Sequence, residues 1–141
     1  MKKIDRSKRL IATVTDVKYI TDETAEIIVC VILSNIHFRN THLGSIKIDG
    51  ISVCVDNNFD IKFGKTLARA KAELAMYKEI KNKCLKNIKT FTENCIEQGP
   101  FTKSHIEKLE IQTNTIIFAE SMIKHQVNYI NKLIRTQYPN E

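Results

Sequence analysis

The first half of the chain carries apolar and polar side chains in the patterns of β-strands. Residues 9–18 (RLIATVTDVK) alternate along their length, and residues 25–35 (AEIIVCVILSN) are rich in the β-branched residues that strands favour. Two short apolar runs in residues 45–55 flank Asp49-Gly50, a pair typical of a two-residue hairpin turn. With residues 36–44 as a longer connection, this pattern predicts four strands in an antiparallel meander.

The second half changes to the period of α-helices. Apolar positions recur at steps of three and four, and Gly99-Pro100 interrupts them. We therefore predict helices over residues 58–93 and 103–137. The predicted seam of the first helix contains Phe63, Leu67, Ala70, Leu74, Tyr77, Lys81, Cys84, Ile88 and Phe91. The predicted seam of the second contains Ile106, Leu109, Thr113, Ile116, Glu120, Ile123, Val127, Ile130 and Ile134.

Helix-capping signals precede both helical segments. Asn57 can cap the first helix, with Asp60 among the free N–H groups of its first turn. For the second helix, Thr102 or Ser104 can cap, and Glu107 stands three residues after Ser104, as a capping box requires. These signals support the two predicted helix starts.

Together the elements predict an α+β fold, a four-stranded antiparallel β-sheet followed by a long two-helix hairpin (ββββαα). The 141 residues suffice for one domain, with the sheet in residues 9–55. Helices of about 33 residues reach roughly 50 Å, whereas a nine-residue strand reaches only about 30 Å. The hairpin should overhang the sheet and expose apolar seam residues, so we expect a homodimer or higher oligomer.

Polar residues interrupt the two apolar seams near the middle of the predicted hairpin. Antiparallel packing would bring Lys81 near the level of Thr113 and Glu120. An ion pair between Lys81 and Glu120 that sets the helix register is the favoured interpretation. The wall of a polar pocket is the alternative.

The composition of the chain limits the kinds of molecule that the protein is expected to bind. The formal net charge is +6, which favours an anionic partner such as a nucleotide, a nucleic acid or an acidic protein surface. We find no apolar run of about 20 residues and no signal peptide, and so expect no membrane partner. The four cysteines form no C-x-x-C pair, which favours reduced thiols in a cytosolic protein over disulfides or zinc.

No catalytic or metal-binding set can be identified. Gly64-Lys65-Thr66 ends like a phosphate-binding loop, but Phe59 occupies the position of the glycine that such a loop needs five residues before Gly64. The histidines lack the spacing of a zinc site, and no serine or cysteine lies in a strained, glycine-flanked turn. We expect a protein without enzymatic activity, cofactor or metal.

Aromatic, amide and cationic residues at the ends of the hairpin suggest ligand binding. Aromatic rings can stack on a nucleobase, and arginine can fork onto a phosphate. For any single residue, a core aromatic or a solvated surface cation is the plainer alternative. The candidate ligand-binding residues are Phe91 and Phe101 near the turn, and Lys65, Arg69, Tyr129, Asn131, Lys132 and Arg135 at the free end.

The segment NFDIKFGKTLARAKAEL, residues 58–74, carries a resemblance to a known family. Its Asn58-Phe59-Asp60, Gly64, Leu67-Ala68 and Ala70, with the β-then-αα order and the chain size, resemble the first type of phage Thoeris anti-defence proteins. The resemblance implies a phage protein in the host bacterial cytoplasm that sequesters cyclic ADP-ribose signals. Some such proteins also bind cyclic trinucleotides, at separate sites in a hexamer, a trimer of dimers.

Two other functions remain open at this point. A basic nucleic-acid-binding or regulatory oligomer of phage origin would use the positive surface, and its binding should weaken steeply with salt. A structural or partner-inhibiting phage protein would need no small ligand. Depletion of a cyclic nucleotide from solution, with its intact return on heating, would distinguish the leading hypothesis from both.

Overall fold

A computed structural model of the chain describes residues 8–22, 24, 27–53, 60–98 and 102–137. Within them the protein is an α+β fold with three strands followed by two helices. The strands are β1 (Ile11–Asp22), β2 (Ile27–Phe38) and β3 (Thr41–Val53). The helices are α1 (Ile61–Gln98) and α2 (Lys103–Gln137). The predicted order of a sheet followed by a helical hairpin is therefore confirmed.

The strands form one antiparallel sheet in the order β1-β2-β3. Along β2, the even-numbered residues from Ile28 to Ile36 are buried, and the odd-numbered ones are half-buried. We call the side of the sheet that holds the even-numbered β2 residues the front face, and the opposite side the back face. A bulge between Val14 and Asp16 keeps both halves of β1 in register with β2.

The predicted hairpin at Asp49-Gly50 is wrong, and the described residues contain no fourth strand. β3 runs without interruption through Gly50, which pairs with Cys30 of β2. The turn lies ten residues earlier, where Phe38 pairs with Thr41 around the two residues Arg39 and Asn40. Arg39 adopts the left-handed conformation with a φ of 56°, as a tight hairpin requires. Residues 54 and 55, assigned to the last predicted strand, lie outside the described residues.

Gly50 is explained by packing against α1 on the front face. A Cβ built on Gly50 would lie 2.2 Å from the carbonyl oxygen of Ala68 and 2.3 Å from the backbone nitrogen of Ala72. The small residues Gly64, Ala68 and Ala72 recur every four positions, so one face of α1 lies close to the sheet. Further along, Met76, Ile80 and Cys84 continue this buried stripe against Ile36 and Ile46.

Both helices begin with side-chain caps. Asp60 precedes α1, and its carboxylate accepts a hydrogen bond of 3.1 Å from the backbone N–H of Phe63. Thr102 precedes α2 and exchanges hydrogen bonds with His105: its hydroxyl accepts from the His105 N–H, and its own N–H donates to Nδ1. The capping box thus uses Thr102 and His105, not Ser104 and Glu107. Asn57 lies outside the described residues.

α2 packs along α1 through the first predicted seam. Ile130 contacts Leu67 and Ala70 in a small core, and the rings of Tyr77 and Phe118 meet edge to face. The expected ion pair is present, with Lys81 Nζ 3.3 Å from Glu120 Oε1. The seam interpretation of these two residues is therefore supported over a pocket wall.

The second predicted seam is only partly correct. Thr113, Val127 and Ile134 are exposed, whereas Thr115 and Gln126 are buried. Gln126 Nε2 donates to the carbonyl oxygen of Ala70 on α1 at 3.0 Å. Thr115 Oγ1 accepts a hydrogen bond of 2.8 Å from the N–H of Leu10, just before β1. Polar residues whose hydrogen bonds are satisfied occupy seam positions that a purely apolar pattern overlooks.

Replacing Thr115 with valine should destabilise the protein because the Leu10 N–H would lose its acceptor. We expect a loss of about 1–3 kcal/mol in the free energy of unfolding, measured by urea denaturation. Thr136→Val is a matched control. Thr115 and Thr136 both donate to the carbonyl four residues earlier, but Thr136 is exposed. Equal losses in the two variants would contradict a role for the Leu10 contact.

Candidate functional site

A groove of about 470 Å³ lies where the start of α1 meets the end of β1 and the later part of α2. β1 contributes Tyr19 and α2 contributes Tyr129, so an aromatic side chain stands on each side of α1. α1 supplies the remaining residues: Lys62, Lys65, Thr66, Arg69, Ala70 and Glu73. We call this set the tyrosine–cation groove.

The helical period explains why α1 supplies so many of its residues. Counted from Lys62, positions 65, 66, 69 and 73 follow after three, four, seven and eleven residues, so they share one side of a helix. The front-face stripe of Gly64, Ala68 and Ala72 anchors the adjacent side of α1 to the sheet. Because that anchor is rigid and close, the cations of α1 are held beside β1.

Tyr19 links the strand to the cations. It pairs with Cys30 in the sheet register, which places it on the front face. Lys65 Nζ lies over its ring, 5.3 Å from the centroid, a cation–π contact. Tyr19 also lies near enough to Arg69 to help raise the pKa of the guanidinium.

Arg69 is further held by Glu73, one helical turn away. Its Nε lies 3.3 Å from Glu73 Oε1. Partial burial lowers the pKa of Arg69, but the Glu73 carboxylate and the neighbouring Tyr19 outweigh it and leave the pKa above its ordinary value. The side chain is still 48% exposed, so its unused donors can reach a ligand in the groove.

The charges of the tyrosine–cation groove favour an anion. Lys62, Lys65 and Arg69 carry three positive charges, and Glu73 carries one negative charge. The surplus of two positive charges matches a ligand with two phosphate groups. The two tyrosine rings offer flat surfaces for a base. The Thr66 hydroxyl donates to the carbonyl oxygen of Lys62 and can accept a hydrogen bond from a ligand.

Only some of the predicted ligand-binding residues come together here. Lys65, Arg69 and Tyr129 line the groove. A separate shallow depression on α2 contains Asn131, Lys132 and Arg135, with Asn128 and Thr136. All five residues belong to one helix and are exposed, so a second wall would have to come from another molecule.

The two aromatic residues predicted near the turn are not part of the groove. Phe91 lies far along α1, where its ring meets His105 at a centroid distance of 5.2 Å and the Lys108 ammonium at 6.0 Å. Because Phe91 is 22 residues beyond Arg69, the two are separated by about 33 Å along the helix. Phe101 lies outside the described residues.

The sequence did not indicate four polar or aromatic residues of the groove, Tyr19, Lys62, Thr66 and Glu73, and it placed Ala70 in the helix seam only. The stripe on α1 had a signal, because Lys62, Lys65 and Arg69 follow the helical period. Tyr19 had no such signal. Its side of the sheet depends on the β1 bulge, which shifts the alternation of faces by one residue and cannot be read from β1 alone.

The thiols of Cys30 and Cys84 are not activated as nucleophiles. Burial raises the pKa of Cys84 to about 11, and burial is also the main cause of the raised pKa of Cys30. Both thiols therefore stay protonated near neutral pH, whereas the nucleophilic form is the thiolate. Among the described residues, no group of three or more His, Cys, Asp or Glu side chains could hold a metal ion.

A second basic surface lies on α1 beyond the sheet-facing stripe. Lys83, Lys86 and Lys89 are exposed and surround a shallow depression that Leu43 of β3 also borders. Glu79 is the acidic residue of this depression. It contains no aromatic side chain, so it offers charge without a stacking surface.

Comparisons with known proteins identified no relative of this chain. No protein-family model matches the chain, and neither a curated protein nor a solved structure matches it. Within the described ranges, neither helix is long and apolar enough to cross a membrane.

Proposed function

We propose that the protein binds and sequesters a small cyclic adenine nucleotide in the tyrosine–cation groove, without chemical turnover. The observation that carries the proposal is the convergence of Lys62, Lys65 and Arg69 between two tyrosine side chains. Stacking and charge pairing are the interactions that hold a nucleotide in place. A sequestering protein needs slow release of its ligand and no catalytic group.

Binding would proceed by exchange of existing contacts. Lys65 rests over the Tyr19 ring, where a base would stack. An arriving base displaces the ammonium group, which turns to a phosphate. Arg69 keeps its geometry through the ion pair with Glu73 and presents its remaining donors to the second phosphate. This preorganisation lowers the entropy that binding must overcome.

The ligand class follows the resemblance to Thoeris anti-defence proteins. It suggests a cyclic ADP-ribose isomer, made as an immune signal in the bacterial host, as the sequestered molecule. A cyclic ADP-ribose carries one adenine and a diphosphate, which suits an aromatic surface beside a surplus of two positive charges. The protein would then act in the host cytoplasm as a phage anti-defence factor.

An oligomer formed through the hairpin would help to enclose the open groove. Ile106, Ile117, Val127 and Ile134 remain exposed on α2 and could be buried by another copy. Ile130 is not suited to testing that contact. It is buried within the chain against Leu67 and Ala70, so a polar substitution there would disrupt folding.

Calorimetry with purified protein tests the proposed function directly. The protein is titrated with cyclic ADP-ribose isomers and, separately, with cyclic trinucleotides. We expect saturable binding of at least one cyclic ADP-ribose isomer, and recovery of the intact ligand after heat denaturation. Linear ADP-ribose is the matched control because it has the same base and diphosphate in an open chain. Absence of binding to every cyclic ligand, or their conversion to products, would refute the proposal.

A nucleic-acid-binding oligomer remains the second candidate, supported by the lysine-rich surface of Lys83, Lys86 and Lys89. Its distinguishing property is salt dependence. Affinity for a nucleic acid should fall by orders of magnitude between low and physiological salt when many phosphates are contacted. A ligand with two phosphates should show a much weaker dependence.

A further inference from the structure

The back face of the sheet is an extended surface without a cover among the described residues. The two core clusters that join sheet and helix contain front-face residues of the strands. On the back face, Ile20, Ile51 and Val53 are more than half exposed. On the central strand, the back face contains four successive half-buried apolar residues: Ile27, Val29, Val31 and Leu33. This surface is independent of the tyrosine–cation groove, which Tyr19 enters from the front face.

The back face also carries an ordered set of charges. Asp16 and Lys18 lie on β1, and Lys47 and Asp49 lie on β3. Each row of the face consists of one residue from β1, its partner on β2 and the partner of that residue on β3. The first row is Ile20, Val29 and Ile51. The next two rows are Lys18, Val31 and Asp49, and then Asp16, Leu33 and Lys47. Each charged row thus has a cation at one edge and an anion at the other, and the order reverses between the two rows.

These three rows are self-complementary about a two-fold axis along β2, whereas in the adjoining row Asp22 would face Val53 of the second copy. A two-fold axis that runs along β2 and lies between two facing sheets would put β1 of one copy opposite β3 of the other. Lys18 would then face Asp49 of the second copy, and Asp16 would face Lys47. The apolar row would face itself, with Ile20 opposite Ile51. We infer that the protein forms a homodimer in which two copies pack back face to back face about this axis.

Sheet packing geometry is compatible with these pairs. Facing sheets lie about 10 Å apart, a gap that a long lysine and a short aspartate can bridge. Aligned sheets cross at about 30°, and the edge strands lie only about 5 Å from the axis. The crossing therefore displaces an edge row by about 2.5 Å, less than the roughly 6.6 Å between same-face residues along a strand.

The size of the face suits a dimer. Three strands of about 12 residues cover about 14 Å by 40 Å. Two such faces bury more than about 1,000 Å² in total, the size at which specific interfaces begin.

A two-fold axis that runs across the strands is the alternative arrangement, and it would also pair Lys18 with an aspartate, Asp16. However, it would set Ile20 and Ile51 against the polar Thr13 and Ser45, which is less favourable.

Charge reversal distinguishes these arrangements. Lys18→Asp should weaken dimerisation by about tenfold or more, because each interface contains the contact twice and both become repulsive. Adding Asp49→Lys to the same chain restores opposite charges across the axis along β2, so the dimer should recover. Under the axis across the strands, the same double variant would place aspartate against Asp16 and lysine against Lys47, and the dimer would weaken further.

The experiment measures dimer dissociation constants by sedimentation equilibrium. Lys18→Asp/Glu93→Lys is the matched control, because it has the same net charge as Lys18→Asp/Asp49→Lys. Its second substitution reverses the charge of an exposed residue on α1, so its dimer should remain as weak as that of Lys18→Asp. Recovery in this control, a wild-type protein that is monomeric at micromolar concentration, or an unchanged constant in Lys18→Asp would overturn the inference. Lys18 is 73% exposed, so its replacement should leave the fold intact.

Cross-linking locates the contact independently of any hairpin interface. Val31 lies beside the proposed axis, so Val31→Cys places two copies of the new thiol opposite one another. A short bismaleimide should join Val31→Cys chains faster than Asn82→Cys chains, whose new thiol lies on the exposed side of α1. Equal rates in the two variants would refute contact through the back face.

Discussion

Gly50→Ala should be the most damaging small substitution in the described chain. Its Cβ would fall 2.2 Å from the carbonyl oxygen of Ala68 and 2.3 Å from the backbone nitrogen of Ala72. Backbone atoms cannot rotate away, so α1 must move off the sheet. We expect a loss of about 3 kcal/mol or more in the free energy of unfolding, at the upper end of the range for overpacked cores. Urea denaturation followed by circular dichroism measures it.

Gly64→Ala is the matched control, because it adds the same methyl group at the same interface. There the Cβ would meet the Cδ1 of Ile28 at 2.5 Å, the far end of a flexible side chain. Alanine also gains about 1 kcal/mol over glycine inside a helix, which offsets the repacking. We expect a net change within about 1 kcal/mol. Similar losses for Gly50→Ala and Gly64→Ala would contradict the close approach at Gly50.

Arg69→Gln should produce the largest loss of affinity in the tyrosine–cation groove. Glutamine keeps much of the side-chain stem but removes the charge that pairs with a phosphate. Loss of one charge-assisted hydrogen bond costs about 1.5–3 kcal/mol, or roughly ten- to hundredfold in affinity. Calorimetry with the cyclic ADP-ribose isomer that the wild-type protein binds, at fixed ionic strength, measures the ratio.

Arg135→Gln is the matched control for Arg69→Gln. It removes the same charge at the free end of the hairpin but lies on the outward depression of α2. We expect less than a threefold loss of affinity, from long-range electrostatics alone. A larger loss for Arg135→Gln than for Arg69→Gln would move the site to the α2 depression, with its second wall supplied by another copy. Unfolding curves of both variants exclude a loss of structure as the cause.

The site was only partly predictable from sequence because its residues come from three elements. Lys65 and Arg69 were accessible as cations on one helix, and Tyr129 as an aromatic residue near the hairpin's free end. Tyr19 required the strand register, which depends on a bulge. Lys65 and Arg69 lie in the groove whereas Arg135 does not, and this separation depends on how α2 is rotated about its own axis. Buried Thr115 and Gln126 set that rotation through hydrogen bonds to partners distant in sequence.

The order of a sheet followed by two helices can be predicted from the amino-acid sequence alone, because apolar periods of two and of three to four are local properties of the chain. The predicted bounds of the second helix, 103–137, agree with α2, whereas α1 runs from Ile61 to Gln98 and the prediction is 58–93. The cap of α1 is Asp60, which the sequence predicts to lie inside its first turn. The role of Gly50, in contrast, depends on long-range packing that the local sequence does not show. In sequence, Asp49-Gly50 has the composition of a turn. In the fold, the same glycine is a strand residue that provides room for the backbone of α1, a partner about 20 residues later in the chain.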